Sequence, residues 1–168
     1  MEVRQEVPAD VSAIYSVNEQ AFGRPDEANL VDKLRTNNKI TLSLVAEENG
    51  RIVGHVLFSP MTLETETGSY PIIGLGPVAV LPEMQRLGIG SRLIEAGLDL
   101  LKERGETAVI VLGHSDYYPR FGFVRASQFG IQSSYDVPDE AFMALELQEG
   151  SLNGRAGVVY YQPEFDGV

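Results

Sequence analysis

The chain has no cysteine, which excludes a disulfide framework, a thiolate zinc site and any cysteine nucleophile. It has only two histidines, too few for an ordinary transition-metal site, so no metal is expected. No apolar run approaches the roughly 20 residues that span a bilayer, so no membrane partner is expected. Glu2 and Glu6 stand where a secretory signal would carry positive charge. Basic residues are scarce, 13 Lys and Arg against 24 Asp and Glu, for a net charge of -11. That balance argues against nucleic acid, whose phosphates need a basic surface. It would draw a cationic small molecule or a basic peptide by long-range attraction, and an acidic surface also serves plain solubility. These absences predict a cytoplasmic protein.

At 168 residues the chain fits one domain with a continuous core. No repeat, low-complexity tract or linker divides it. Glu2–Val7 reads as a strand. Pro8 suits a helix start, and Val11, Ile14, Tyr15, Ala21 and Phe22 recur near helical spacing. A second helix over Asp26–Arg35 groups Leu30, Val31 and Leu34. Strands over Thr41–Glu48 and Arg51–Ser59 meet at Asn49-Gly50, a hairpin signal. Thr62–Tyr70 reads as an exposed connection or an edge strand. Ile72–Leu81 is almost wholly apolar, as a strand buried on both faces should be, and Gly76-Pro77 predicts a bulge or splay in it. A helix over Ser91–Arg104 stops at Gly105, and Ala108–Leu112 is a strand parallel to Ile72–Leu81. Further strands begin at Phe123 and over Phe142–Leu147. A short Val158–Tyr161 segment follows the turns of Gly150–Gly157. The sum is an α/β (α+β) fold with a mixed sheet.

The connection between the buried strand and the long helix carries the chemistry. A glycine-rich loop that opens a helix aims backbone N–H groups, and the positive end of the helix dipole, at one point where phosphate can sit. A Walker loop is excluded because Gly90 is followed by Ser91-Arg92 instead of a Lys-Ser or Lys-Thr pair. The dinucleotide fingerprint fails because position 93 is Leu. Gln85-Arg86-Leu87-Gly88-Ile89-Gly90 fits a third pattern, Gln/Arg-x-x-Gly-x-Gly/Ala, after a Val-Ala-Val-Leu-Pro strand end. It resembles the acyl-coenzyme A loop of the GCN5-related N-acetyltransferase (GNAT) superfamily. Tyr118-Pro119-Arg120-Phe121-Gly122-Phe123 resembles that superfamily's Tyr-x-x-x-Gly-Phe segment. The stretch Leu112–Phe123 is similar to a small bacterial acetyltransferase subgroup. The resemblance covers residues 1–147 most clearly, with 148–168 as an extension of the same domain.

The resemblance implies a GNAT-like domain whose central sheet is splayed at the strand before the glycine loop. It implies acetyl-coenzyme A as acyl donor, with its pyrophosphate on the N–H groups of Arg86, Leu87, Gly88, Ile89, Gly90 and Ser91, in a loop begun by Gln85. The pantetheine arm would pair with Val78, Ala79 and Val80 as an added strand would. Tyr118 takes the position from which the family protonates the departing thiolate. A primary amine, on a small molecule or a peptide, would attack the thioester directly, since no cysteine can relay the acyl group. The alternative is a non-catalytic acyl-coenzyme A sensor. No acid stands on Ile72–Leu81 to act as general base, and Glu83 reads as surface charge. Glu47, Glu48, an acid of the 131–140 segment or ordered water would have to serve. His114-Ser115-Asp116 cannot converge as a hydrolase triad from adjacent positions. His114, just past a strand end, is a candidate contact for acceptor or cofactor, and His55 reads as structural. The C-terminal strands offer a surface for a homodimer.

Overall fold

Apolar residues crowd β2 (Leu42–Glu48) and β3 (Arg51–Thr65), and the two zip together antiparallel, with Val45 opposite His55. They turn at Asn49-Gly50, both with positive φ (52° and 77°), the backbone of a type I′ hairpin. A computed structural model describes all residues, Met1–Val168, in this way. Nine strands form one mixed sheet in the order β1 (Glu2–Gln5), β2, β3, β4 (Gly68–Val80), β5 (Ala108–Leu112), β8 (Phe142–Glu146) and β6 (Val124–Arg125), with β9 (Gly157–Tyr160) pairing to β3 and to β7 (Ile131–Ser133). No helix is long and apolar enough to cross a membrane. The chain divides into two compact units.

The first unit contains Met1–Ser59, Gly76–Asp99 and Pro163–Val168. β1 (Glu2–Gln5) pairs with β2. Helices α1 (Val11–Phe22) and α2 (Asp26–Thr36) press Ile14, Leu30, Val31 and Leu34 onto Val45 and Leu57. The opposite face of β3 receives α3 (Ile89–Glu103). A β-carbon at Gly54 would lie 3.0 Å from both Ile89 and Leu93, so glycine there lets the start of α3 press against the strand. Leu93, Ile94, Leu98 and Leu101 form the buried apolar stripe of this helix. Its first residue is Ile89, two positions earlier than expected.

His55 lies fully buried on β3. Asn18 Nδ2 donates to its Nδ1 (3.1 Å), so in the neutral ring Nε2 carries the proton and donates to Ser43 Oγ (2.9 Å). Burial, reinforced by the Arg35 charge, pushes its pKa down to about 3. The unfolded chain binds a proton here below about pH 6.5 and the folded chain does not. Stability from this residue is therefore complete above that pH. It falls by about tenfold in the folding constant per pH unit on the way down to the folded value. In urea unfolding at graded pH, His55→Gln is expected to flatten this acid dependence by one proton. An unchanged slope would contradict the assignment.

The second unit contains Pro60–Leu75 and Leu100–Gln162. The end of β3 pairs with β9 (Gly157–Tyr160). The first part of β4 (Gly68–Val80) lies parallel to β5 (Ala108–Leu112) through Ile73–Leu75, as the intervening helix required. β5 pairs antiparallel with β8 (Phe142–Glu146), β8 with β6 (Val124–Arg125), and β7 (Ile131–Ser133) runs parallel to β9. The parallel ladder stops at Leu75, while β4 runs on through Gly76–Val80 with a cis Gly76-Pro77 bond. The stretch Thr62–Tyr70, expected as a connection or edge, is mostly strand: β3 continues to Thr65 and β4 starts at Gly68. Met61 and Leu63 point inward there and Glu64 outward, a period of two that the surrounding polar residues obscure.

Candidate active site

β4 delivers Val78, Ala79 and Val80 to the start of the loop, with Ala79 buried and its neighbours half-buried. Leu81 anchors the strand end: its N–H donates to Val53 O (2.9 Å) and its side chain is buried. Pro82–Met84 make a 3-10 turn closed by Met84 N–H on Leu81 O (2.8 Å). Gln85 folds back, its Nε2 donating to Val80 O (3.1 Å).

Two left-handed residues then follow in quick succession. Arg86 has φ 65° and Gly88 has φ 83°. For Gly88 the conformation carries no steric cost. For Arg86 it costs on the order of 1 kcal/mol, a strain of the kind that collects where function demands it. Such left-handed turns make successive backbone N–H groups converge into an anion-binding concavity. α3 opens at once with Ile89, Gly90 and Ser91, and Arg92 N–H closes its first turn on Gly88 O (3.1 Å). The N–H groups of an opening helical turn precede the intrahelical ladder and carry the positive end of its dipole. Gln85, Arg86, Leu87 and Gly88 are exposed, and Leu87 at the tip is 67% exposed. Ile89 is buried against Gly54 and anchors the start of α3 on β3. The loop residues singled out from the sequence are therefore brought together in one short turn. Arg86's left-handed backbone was not foreseeable from its side chain.

Tyr118 belongs to the second unit. It opens a 3-10 turn, Tyr118–Phe121, shortly after β5. Gly113 leaves room for its ring, which would collide with any β-carbon there. Gly122 (φ 100°) turns the chain back so that buried Phe123 packs edge-on to Tyr118, ring centroids 5.9 Å apart. Tyr117 packs edge-on from the other flank at 5.1 Å and is itself covered by the Arg120 guanidinium, 4.4 Å from its centroid. Burial, with a smaller contribution from Tyr117, pushes the Tyr118 phenol up to about 12. Its proton therefore stays on at any physiological pH. The Tyr-x-x-x-Gly-Phe spacing thus has a local explanation: it closes an aromatic cage on one phenol.

Glu83, Glu47 and Asp139 are each ion-paired to an arginine. Glu83 is exposed and ion-paired to Arg51 (3.0 Å); its own backbone N–H and then that guanidinium hold its carboxyl below the usual range. Glu47 lies 3.4 Å from Arg4. In the 131–140 segment, Asp136 and Asp139 line a cavity of about 480 Å³, and Asp139 also pairs with Arg125 (3.2 Å). His114, Ser115 and Asp116 are all exposed, and the carbonyl of His114 accepts the N–H groups of Tyr117 (3.2 Å) and Tyr118 (3.4 Å). No group of three His, Cys, Asp or Glu is arranged to hold a metal ion.

A family model for the acetyltransferase (GNAT) domain matches residues 2–126. The chain is 34% identical over 167 residues to the uncharacterized N-acetyltransferase YhbS of Escherichia coli K12, covering 99% of both proteins. The crystal structure of E. coli YhbS in complex with CoA superposes with a TM-score of 0.91 at 33% identity, over 98% of this chain and 91% of that one. A GNAT family acetyltransferase from Brucella melitensis, in complex with acetyl-CoA, superposes with a TM-score of 0.82 at 36% identity, over 98% and 97%.

Proposed function

Because the chain belongs to the GNAT acetyltransferase family, we propose that it is an N-acetyltransferase that moves the acetyl group of acetyl-CoA directly onto a primary amine. The observation that carries this reading is the paired left-handed turn at Arg86 and Gly88 leading straight into α3. The E. coli and B. melitensis relatives whose structures hold CoA and acetyl-CoA support acetyl-CoA as the donor. The N–H groups of Arg86–Ser91 hold the pyrophosphate, and Val78–Val80 hold the pantetheine amides.

The neutral amine attacks the thioester carbonyl, a C–N bond forms and the C–S bond breaks. The departing sulfur takes the proton of Tyr118, which solvent restores, and the new amide loses its extra proton to water. A phenol raised to about 12 is a weak acid toward a thiolate in water. A thiolate formed in an equally buried place is raised by the same desolvation, so donor and acceptor stay closer than their solution values suggest. One domain comprising residues 1–168 carries the whole reaction.

The test is direct. Protein is mixed with acetyl-CoA and a panel of amines (amino acids, polyamines, aminoglycosides, basic peptides), and free thiol is followed with time. Amine-dependent thiol release is expected for at least one class. Saturable acetyl-CoA binding with no release for any amine would support a sensor instead.

A further inference from the structure

A half-buried cation with no carboxylate partner lies in the second unit. Arg4, Arg24, Arg35, Lys39, Arg51 and Arg125 all sit against carboxylates. Arg155 does not. Half-buried, it forms no ion pair and lies flat on the Tyr70 ring, its guanidinium carbon 3.4 Å from the ring centroid. Stacking occupies the face of the guanidinium and one edge donor engages the Tyr70 hydroxyl, which leaves further N–H donors at the edge that can hold a planar anion in two-pronged fashion.

Beside this pair opens a cavity of about 230 Å³. Its inner wall is made by Leu63, Ile72, Ala108 and Leu152, each buried and apolar, and Tyr70 and Arg155 stand in its lining with them. Thr107 O accepts the N–H of Leu147 (2.8 Å) and the hydroxyl of Ser151 (2.9 Å), and Glu146 is engaged by the N–H of Leu152 (2.8 Å). An apolar cavity of about 150 Å³ suffices to take up benzene. This one has room for a single ring and a short polar group.

We propose that the cavity between β4, β5 and the 151–155 turn binds a small aromatic or branched-chain carboxylate, its apolar body against Leu63 and Leu152 and its carboxylate on Arg155. The site is distinct in position along the chain from the glycine loop. It gathers at the amino-terminal ends of β4 and β5, whereas the loop follows the carboxyl end of β4. It neither uses nor requires the acetyl-transfer residues, so it stands or falls independently of them.

Benzoate serves as probe, with benzamide as its neutral counterpart and benzylamine as its cationic one. In amide NMR titrations of the full chain, benzoate is expected to give saturable shifts at Leu63, Ile72, Leu152 and Arg155, with a dissociation constant of about 1 mM for so small a ligand. Benzamide and benzylamine should bind at least about tenfold more weakly, because the charge-assisted hydrogen bonds are lost. Arg155→Met, which keeps an apolar stem on Tyr70, should reduce benzoate to the level of benzamide. Leu152→Phe, which fills the cavity, should abolish binding of all three. Should Leu152→Phe not fold, Arg155→Met decides alone. Equal binding of benzoate and benzamide, shifts confined to other residues, or no saturation at about ten times the expected constant would overturn the proposal.

Discussion

Gly88→Glu is expected to weaken acetyl-CoA binding by about 100-fold or more, measured by titration calorimetry. Gly88 has φ 83°, and a β-carbon there would meet nothing within 4 Å, so the position has room for a side chain but a backbone that resists one. Two effects then add. The left-handed conformation costs a non-glycine residue on the order of 1 kcal/mol. With the pyrophosphate placed as proposed, the new carboxylate would face it, and like charges about 4 Å apart repel by roughly 1 kcal/mol in water and about 4 kcal/mol near a protein surface. The electrostatic contribution dominates. Gly88→Ala isolates the backbone contribution and is expected to lose no more than about tenfold. Undiminished affinity in Gly88→Glu would remove the pyrophosphate from this loop. Equal losses in the two variants would mean that conformation, not charge, governs the site.

Tyr118→Phe is expected to lower kcat by about 100-fold, the lower range for loss of a positioned acid, while KM for acetyl-CoA stays within about twofold. The ring is held by Phe123, Tyr117 and the space at Gly113, contacts that phenylalanine retains. The variant therefore removes a proton donor with little change in packing. Because the phenol is raised to about 12, the wild-type rate should show no loss from ionisation of Tyr118 below roughly pH 11. Unchanged turnover in the variant would reduce Tyr118 to an orienting aromatic. A fall in affinity without a fall in kcat would assign it to binding.

The parts of the fold written in short-range patterns are legible from the chain alone. Asn49-Gly50 announces its hairpin because few residues other than Asn and Gly accept two positive φ values in succession. Gly105 ends α3 for the same reason, with φ 83° and its N–H on Lys102 O (3.0 Å). The glycine loop and the Tyr118–Phe123 segment are legible because their residue types are required at fixed spacing.

What escapes the sequence is set by partners distant along the chain. The start of α3 presses against β3 at Gly54, a contact that nothing near Ile89 in the sequence records. A left-handed Arg86 contradicts its own local preference and is intelligible only within the folded loop. Thr62–Thr65 looks polar yet is strand because β9 pairs with it from far along the chain. The order of residues places Tyr118 beside a strand end, but not in the aromatic cage that raises its pKa. The cavity beside Arg155 leaves no sequence signal at all, since it is assembled from four separate segments.

Backbone N–H groups between Arg86 and Ser91 are expected to form the diphosphate seat of a coenzyme A-dependent enzyme. A crystal structure of this protein soaked with acetyl-CoA tests this most directly. Diphosphate oxygens are expected about 2.7–3.2 Å from several of those nitrogens, with the pantetheine amides alongside Val78–Val80. Cofactor seated on any other surface, or this concavity closed by the protein's own side chains, would contradict it.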